Sequence, residues 1–333
     1  MSDADTRKFY PRDEVHEKPK PDEQYPGGYE RPKRAHRFLP TERSLDIAEE
    51  IAQKLNMTMD RAETAQWATD LQARYYQDIA QVLGDEVCGH IQFEHLASRK
   101  LEAFSAQTKQ GQAIVSFDQQ LDSWLFSLNQ LIGVRAFWGL SEDEYHHTAQ
   151  LAQGVVATLQ DPFLHEKVRL YIKPYLTEAP YPEALPVTNC MVMAMSAFVI
   201  CHEIAHHTHG HIGKATNKQH EYEADQQGYK YFMQVIEAFD QTQYLKVSDN
   251  MLAAPCLLMD YFDFAERWYA QQQGLSHITE SVSHPLSSKR RQALEQHYAH
   301  HWGEEAHNLY GGFQSSLTEL MQQLGLHSGN ASA

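Results

Sequence analysis

Cysteine and positive charge are both in short supply in this chain. Its four cysteines, Cys88, Cys190, Cys201 and Cys256, include no C-x-x-C pair, and three of them fall in apolar helical stretches. They read as buried free thiols of a reducing compartment, so a cytoplasmic location is expected. Twenty-eight lysines and arginines stand against 44 acidic residues, a formal charge of −16. That balance argues against a broad basic face for nucleic acid or for an anionic membrane. No apolar run reads as long enough to span a membrane, and no repeat has a solenoid period. The first 40 residues hold Pro11, Pro19, Pro21, Pro26, Pro32 and Pro40 among interleaved charges, with no apolar stretch of the signal-peptide kind, and read as a disordered tail. At 333 residues and 42% hydrophobic, the chain can still bury a sizeable core.

Histidine is what the chain has in quantity, 20 in all, and one stretch uses it in a pattern: His202-Glu203-Ile204-Ala205-His206. Residues four apart share a helix face, so His202 and His206 can aim two imidazoles at one ion. Glu203 stands one step round, where a carboxylate can hold a water and take its proton. A histidine-rich composition raises the odds of a chance match. The run before it, Met191 to Cys201, is apolar on nearly every side and reads as a buried helix. Burying two histidines and a glutamate is costly unless something pairs them, and a zinc ion (Zn2+) would do so.

Zinc needs a third protein ligand and an open position. Downstream lies Glu221-Tyr222-Glu223-Ala224-Asp225, in a segment that reads as helix through about Val235. Glu221 and Asp225 share a face, so Glu221 is expected as the third ligand and Asp225 as a carboxylate that orients a ligand histidine. Glu223 is the alternative ligand, and a solvated acidic helix start is the plainer reading of the whole stretch. The metzincin pattern fails, because its third histidine and its glycine would fall where Ile212 and His209 stand. His207, His209 and His211 are expected as surface or supporting groups, with Gly210 ending the helix and an accessory metal site as a lesser alternative.

H-E-x-x-H followed by E-Y-E-A-D resembles the gluzincin metallopeptidases of the HtpX, BepA and CAAX prenyl protease group. The resemblance implies a zincin-like catalytic core, zinc on His202, His206 and Glu221, Glu203 as catalytic base, and Asp225 in support. Ser283-His284-Pro285-Leu286-Ser287-Ser288-Lys289-Arg290 is similar to that group's T-H-P-x-x-x-x-R segment, which makes His284 a candidate to approach the zinc or the substrate. A surface loop leading into a helix accounts for it equally well. The resemblance covers Val187 to Arg291. It departs from the group in the short polar gap between His206 and Glu221, which leaves little room for a lid. A weaker resemblance is to the phage-exclusion (Lit-type) peptidases, which cut a host protein.

Elsewhere the periodicity predicts a mainly α fold, α+β with a minimal sheet, in which an N-terminal helical extension precedes the catalytic region. Helices are expected over 41–55, 58–84, 93–104, 122–134, 141–159 and 161–175, then over 249–273 with a kink at Pro255, 287–301 and 315–324. Ala113-Ile114-Val115-Ser116-Phe117 is the best strand candidate and a possible edge for substrate. The chain thus divides into a tail at 1–40, a helical region at 41–180, a zincin-like region at 181–325 and a flexible end at 326–333. The expected activity is that of a soluble zinc endopeptidase acting on protein or peptide substrates, with His284 and Tyr222 as candidates to stabilise an oxyanion. Two alternatives stand beside it. One is a non-catalytic or self-inhibited zinc protein, its fourth metal position closed by His284 or His211. The other is a phage-defence or toxin-like protease with one dedicated host target. The sequence identifies neither the substrate nor the oligomeric state.

Overall fold

A computed structural model describes residues 76–96, 103–108, 110–157, 184–215, 217–241, 248–275 and 280–326, with isolated residues at 24–25, 29–30, 49, 60–62, 167–168, 171–172 and 278. The expected helices at 41–55 and 161–175, most of the one at 58–84, and nearly all of both chain ends lie outside these residues. Residues 76–83 are helical.

The fold is built around one helix that is buried on almost every side. This helix, which we label α3 (Ala184–Thr208), packs against α1 (Gln119–Phe137), α4 (Lys218–Gln241), α5 (Ala254–Gln272) and a small sheet. Met191, Ala194, Met195, Ala197, Phe198, Ile200 and Cys201 are all buried, as its uniformly apolar composition requires. The stretch Val187–Thr208 is long and apolar enough to cross a membrane by length and composition, contrary to the reading of the sequence. In the fold, 78% of its most apolar window is buried against protein. Its imidazole and carboxylate side chains come near the C-terminal end, His202, Glu203 and His206 among them.

Three strands form the sheet: β1 (Ile91–Leu96), β2 (Ala103–Gln107) and β3 (Ala113–Asp118). The order is β1-β3-β2, with β1 parallel and β2 antiparallel to β3. The expected strand at 113–117 is therefore the central one and not an edge, and all six residues of β3 are buried. The helix expected over 93–104 is replaced by parts of two strands. Residues 91–95 alternate as I-Q-F-E-H, and pairing with β3 decides in favour of the period of two.

The remaining helices close the core. Helix α2 (Glu142–Ala157) starts on a capping box in which Glu144 accepts from the Ser141 amide and hydroxyl, each at 2.7 Å. The long helix expected over 249–273 is broken rather than kinked: a turn at Ser248–Met251 precedes α5, and Pro255 sits in the first turn of α5, where its missing N–H costs nothing. Helix α6 (Ser287–Tyr298) continues into a 3-10 turn at Ala299–His301, and α7 (Glu304–Gln323) is twice the length expected because it runs through Gly311 and Gly312. A buried polar node ties α1, α3 and α5 together: Asn129 donates to the Thr188 carbonyl and accepts from the Tyr261 hydroxyl, both at 2.8 Å. All four cysteines are free and buried, as expected.

Candidate metal centre

Helix α4 crosses α3 at its polar end, and the closeness of the crossing has a local cause. A Cβ placed on Gly228 would lie 2.8 Å from His202 Cα and 2.9 Å from its backbone nitrogen. Only glycine permits that approach. Glu221, Asp225 and Gly228 fall on one stripe of α4, so the contact that glycine allows also delivers the two carboxylates to the histidines.

There the side chains meet. His202 Nε2 and His206 Nε2 are 3.1 Å apart, and the Glu221 carboxylate approaches them through different oxygens, Oε2 at 3.6 Å from the first and Oε1 at 3.8 Å from the second. Zinc bonds of about 2.0–2.2 Å at tetrahedral angles would hold neighbouring ligand atoms about 3.3–3.6 Å apart, so the three donors already have nearly the spacing of such a site. His202, His206 and Glu221 are 6%, 8% and 4% exposed. Glu223, the alternative ligand, points away from this cluster and bonds His211 instead.

Each of the two histidines is backed by a second group. His202 Nδ1 lies 3.0 Å from Asp225 Oδ1, at an angle off the ideal hydrogen-bond direction. The guanidinium of Arg290, on α6, grips Asp225 with two bonds of 2.6 and 2.8 Å and comes within 3.6 Å of Glu221. His206 Nδ1 sits 3.0 Å from His211 Nδ1, and His211 Nε2 lies 2.9 Å from Glu223 Oε2. His211 can turn back because α3 stops at Thr208 and Gly210 takes a left-handed φ of 62°. It therefore supports His206 from behind and does not face the ion position. His207 reaches the Ile114 carbonyl at 2.9 Å, which ties the end of α3 to the central strand, and His209 is exposed.

The electrostatics ask for a cation. Two buried carboxylates, Glu221 and Asp225, share one guanidinium. Burial pushes the Glu221 carboxyl up, but His202 and Arg290 outweigh it and hold it well below the usual range. Burial likewise pulls the His202 imidazolium down, yet Asp225 and Glu221 hold its pKa up at about 9. A proton on His202 thus supplies the missing positive charge when nothing else does, and a divalent ion is a better occupant of the same place. His206 is pulled far down by burial and by its charged neighbour His202, which leaves its lone pair free to ligate. The residues present fit a zinc ion.

Glu203 is 8% exposed and faces β2, where the Ser105 hydroxyl donates to it. Burial raises its pKa to about 6, against the opposing pull of His202. His284 brings Nε2 to 3.4 Å from Glu221 Oε1 while remaining 41% exposed, and Ser281 and Ser283 brace its loop. Lys218 and Lys289 both bond Glu280 beside it. Tyr222 has no hydrogen bond to the cluster among the described residues; burial, and then Glu280, raise its phenol. Arg290 closes the segment that suggested His284, yet nothing in its spacing announces Asp225 as its partner. Gly228 and Ser105 likewise gave no signal in sequence, the first because close approach is a property of two helices together, the second because it lies on a strand whose composition resembles helix.

No curated protein and no solved structure matches the chain. A protein-family model does: residues 169–303 match the family described as Peptidase U49, and that stretch, which holds the cluster from His202 to Arg290, carries the signature of a peptidase.

Proposed function

We propose that the chain is a zinc-dependent endopeptidase of the gluzincin arrangement, with His202, His206 and Glu221 as metal ligands and Glu203 as general base. The observation that carries this reading is the meeting of three buried donors at nearly tetrahedral spacing beside a fourth buried residue, Glu203, whose pKa is raised. The match to a peptidase family supports the reaction class, and a protein substrate follows from it. When bound, the ion supplies Lewis acidity, which polarises a carbonyl and makes water a usable nucleophile near neutral pH. Glu203 takes the proton from the attacking water and passes it to the leaving amine. Asp225 and Arg290 fix the ring of His202, and His211 with Glu223 fixes that of His206. His284, partly exposed at the edge of Glu221, is placed to meet the oxygen on which charge develops. Strand β2 is a sheet edge next to Glu203, and an extended substrate would add to it there.

Glu203→Gln should keep the metal and abolish hydrolysis. The measurement is a comparison of new protein termini in cells carrying the native chain or the variant, with metal content checked on the purified proteins. Equal termini from a metal-loaded variant would reject Glu203 as the base. One cleaved protein would indicate a dedicated target, as in the phage-exclusion peptidases that the motif also resembles; many would indicate a general peptidase.

A further inference from the structure

Behind the buried cluster a second set of ligand atoms converges. His209, His211 and Glu223 each offer one, and these atoms lie within 4.8 Å of one another. They come from the turn that follows α3 and from the first turns of α4, next to the elements that carry the first cluster. His211 is held from three sides. Its ring stacks on His220 with centroids 4.2 Å apart and planes within 8°, and on His209 at 5.4 Å and 18°. Its Nδ1 is taken up by His206, so Nε2 is the atom left to face Glu223, at 2.9 Å. Glu223 is oriented in turn by Gln219, which donates to its other oxygen at 3.0 Å.

We propose that His209, His211 and Glu223 form a second, surface site for a divalent transition-metal ion, joined to the buried centre through the contact between His211 and His206. Two imidazoles and one carboxylate suit zinc, nickel or copper(II) and disfavour calcium and magnesium, which take oxygen ligands. Three ligands near the surface leave positions for water, so this site binds more weakly than the enclosed one. Its occupancy acts on the first site. A ligand His206 needs its Nε2 lone pair for the buried ion, so its Nδ1 carries the hydrogen and His211 Nδ1 accepts it. With its Nδ1 accepting, His211 carries its own hydrogen on Nε2; a cation there sends that hydrogen to Nδ1, where it faces the His206 Nδ1–H, so occupancy of either site opposes occupancy of the other. The coupling rests on the proposed role of His206; the surface site does not.

The test is equilibrium dialysis of the full chain against zinc, with bound metal counted. The native chain should take up two ions of unequal affinity, His209→Ala/Glu223→Gln only the tighter, and His202→Ala/Glu221→Gln only the weaker. The conservative Glu223→Gln alone should weaken the second ion by roughly tenfold with unchanged circular dichroism. Saturation of the native chain at one ion would overturn the proposal, as would a second ion that survives His209→Ala/Glu223→Gln. Loss of the tighter ion alone bears only on the first centre.

Discussion

Asp225 offers the sharpest separation between a residue that holds the fold together and one that prepares a ligand. It is 2% exposed and stands between His202 Nδ1 at 3.0 Å and the Arg290 fork at 2.6 and 2.8 Å. Asp225→Asn preserves volume but removes the negative charge, leaving the Arg290 guanidinium with the Glu221 carboxylate at 3.6 Å. Breaking one side of a buried pair costs roughly 3–5 kcal/mol when the partner is stranded, and the remaining carboxylate should reduce this to about 2–3 kcal/mol. Loss of the group behind a ligand histidine typically lowers metal affinity 10–100-fold, about 1.4–2.7 kcal/mol. Adding Arg290→Met separates the two effects: with no stranded cation, metal-free stability should recover by about 1–2 kcal/mol, whereas metal affinity should stay low because nothing orients His202. The assays are urea unfolding of the metal-free proteins and zinc competition against a chromogenic chelator. Zinc affinity in Asp225→Asn within about twofold of the native value would refute the claim that Asp225 acts through His202.

Three further outcomes follow from other contacts. Gly228→Ala should destabilise the protein by about 1–3 kcal/mol and weaken zinc binding together, because a Cβ 2.8 Å from His202 Cα must push α4 off α3; thermal melts with a metal count check it. Glu266 accepts from the Ser287 hydroxyl at 2.7 Å at the start of α6, and burial raises its pKa from 4.5 to about 7. The folded state therefore holds this proton more tightly than the unfolded chain. The resulting stabilisation is complete below about pH 4.5 and is lost as pH rises to about 7, at no more than about 1.4 kcal/mol per pH unit, so urea midpoints of Glu266→Gln should gain on the native protein across that window. His284→Ala should lower kcat with little change in zinc content or in KM, as expected of a group that meets charge only in the transition state.

The candidate site was more legible in sequence than the parts of the fold that support it. His202 and His206 stand four residues apart on one helix with Glu203 beside the first, and Glu221 and Asp225 are likewise four apart, so local geometry alone proposed which side chains could meet. Choosing Glu221 over Glu223 also followed from helix phase, and the structure sends Glu223 to His211 instead. What sequence did not disclose was relational. The fork between Arg290 and Asp225 spans 65 positions, and the clearance at Gly228 exists only between two packed backbones. The sheet fared worst. Its outer strands are five and six residues long, too short for a period of two to stand out, and a short apolar run such as residues 113–117 fits an edge or a central strand because it does not say how many neighbours it has. The break before α5 was read as a kink because Pro255 is compatible with both.

Arg290 belongs to the last but one helix, long after the imidazoles and carboxylates it serves. During synthesis the chain has released both histidines and both acids before the guanidinium that compensates them leaves the ribosome. Until α6 docks, Asp225 has no fork, so in a nascent or truncated chain the two acids of α4 stand without the guanidinium that compensates them.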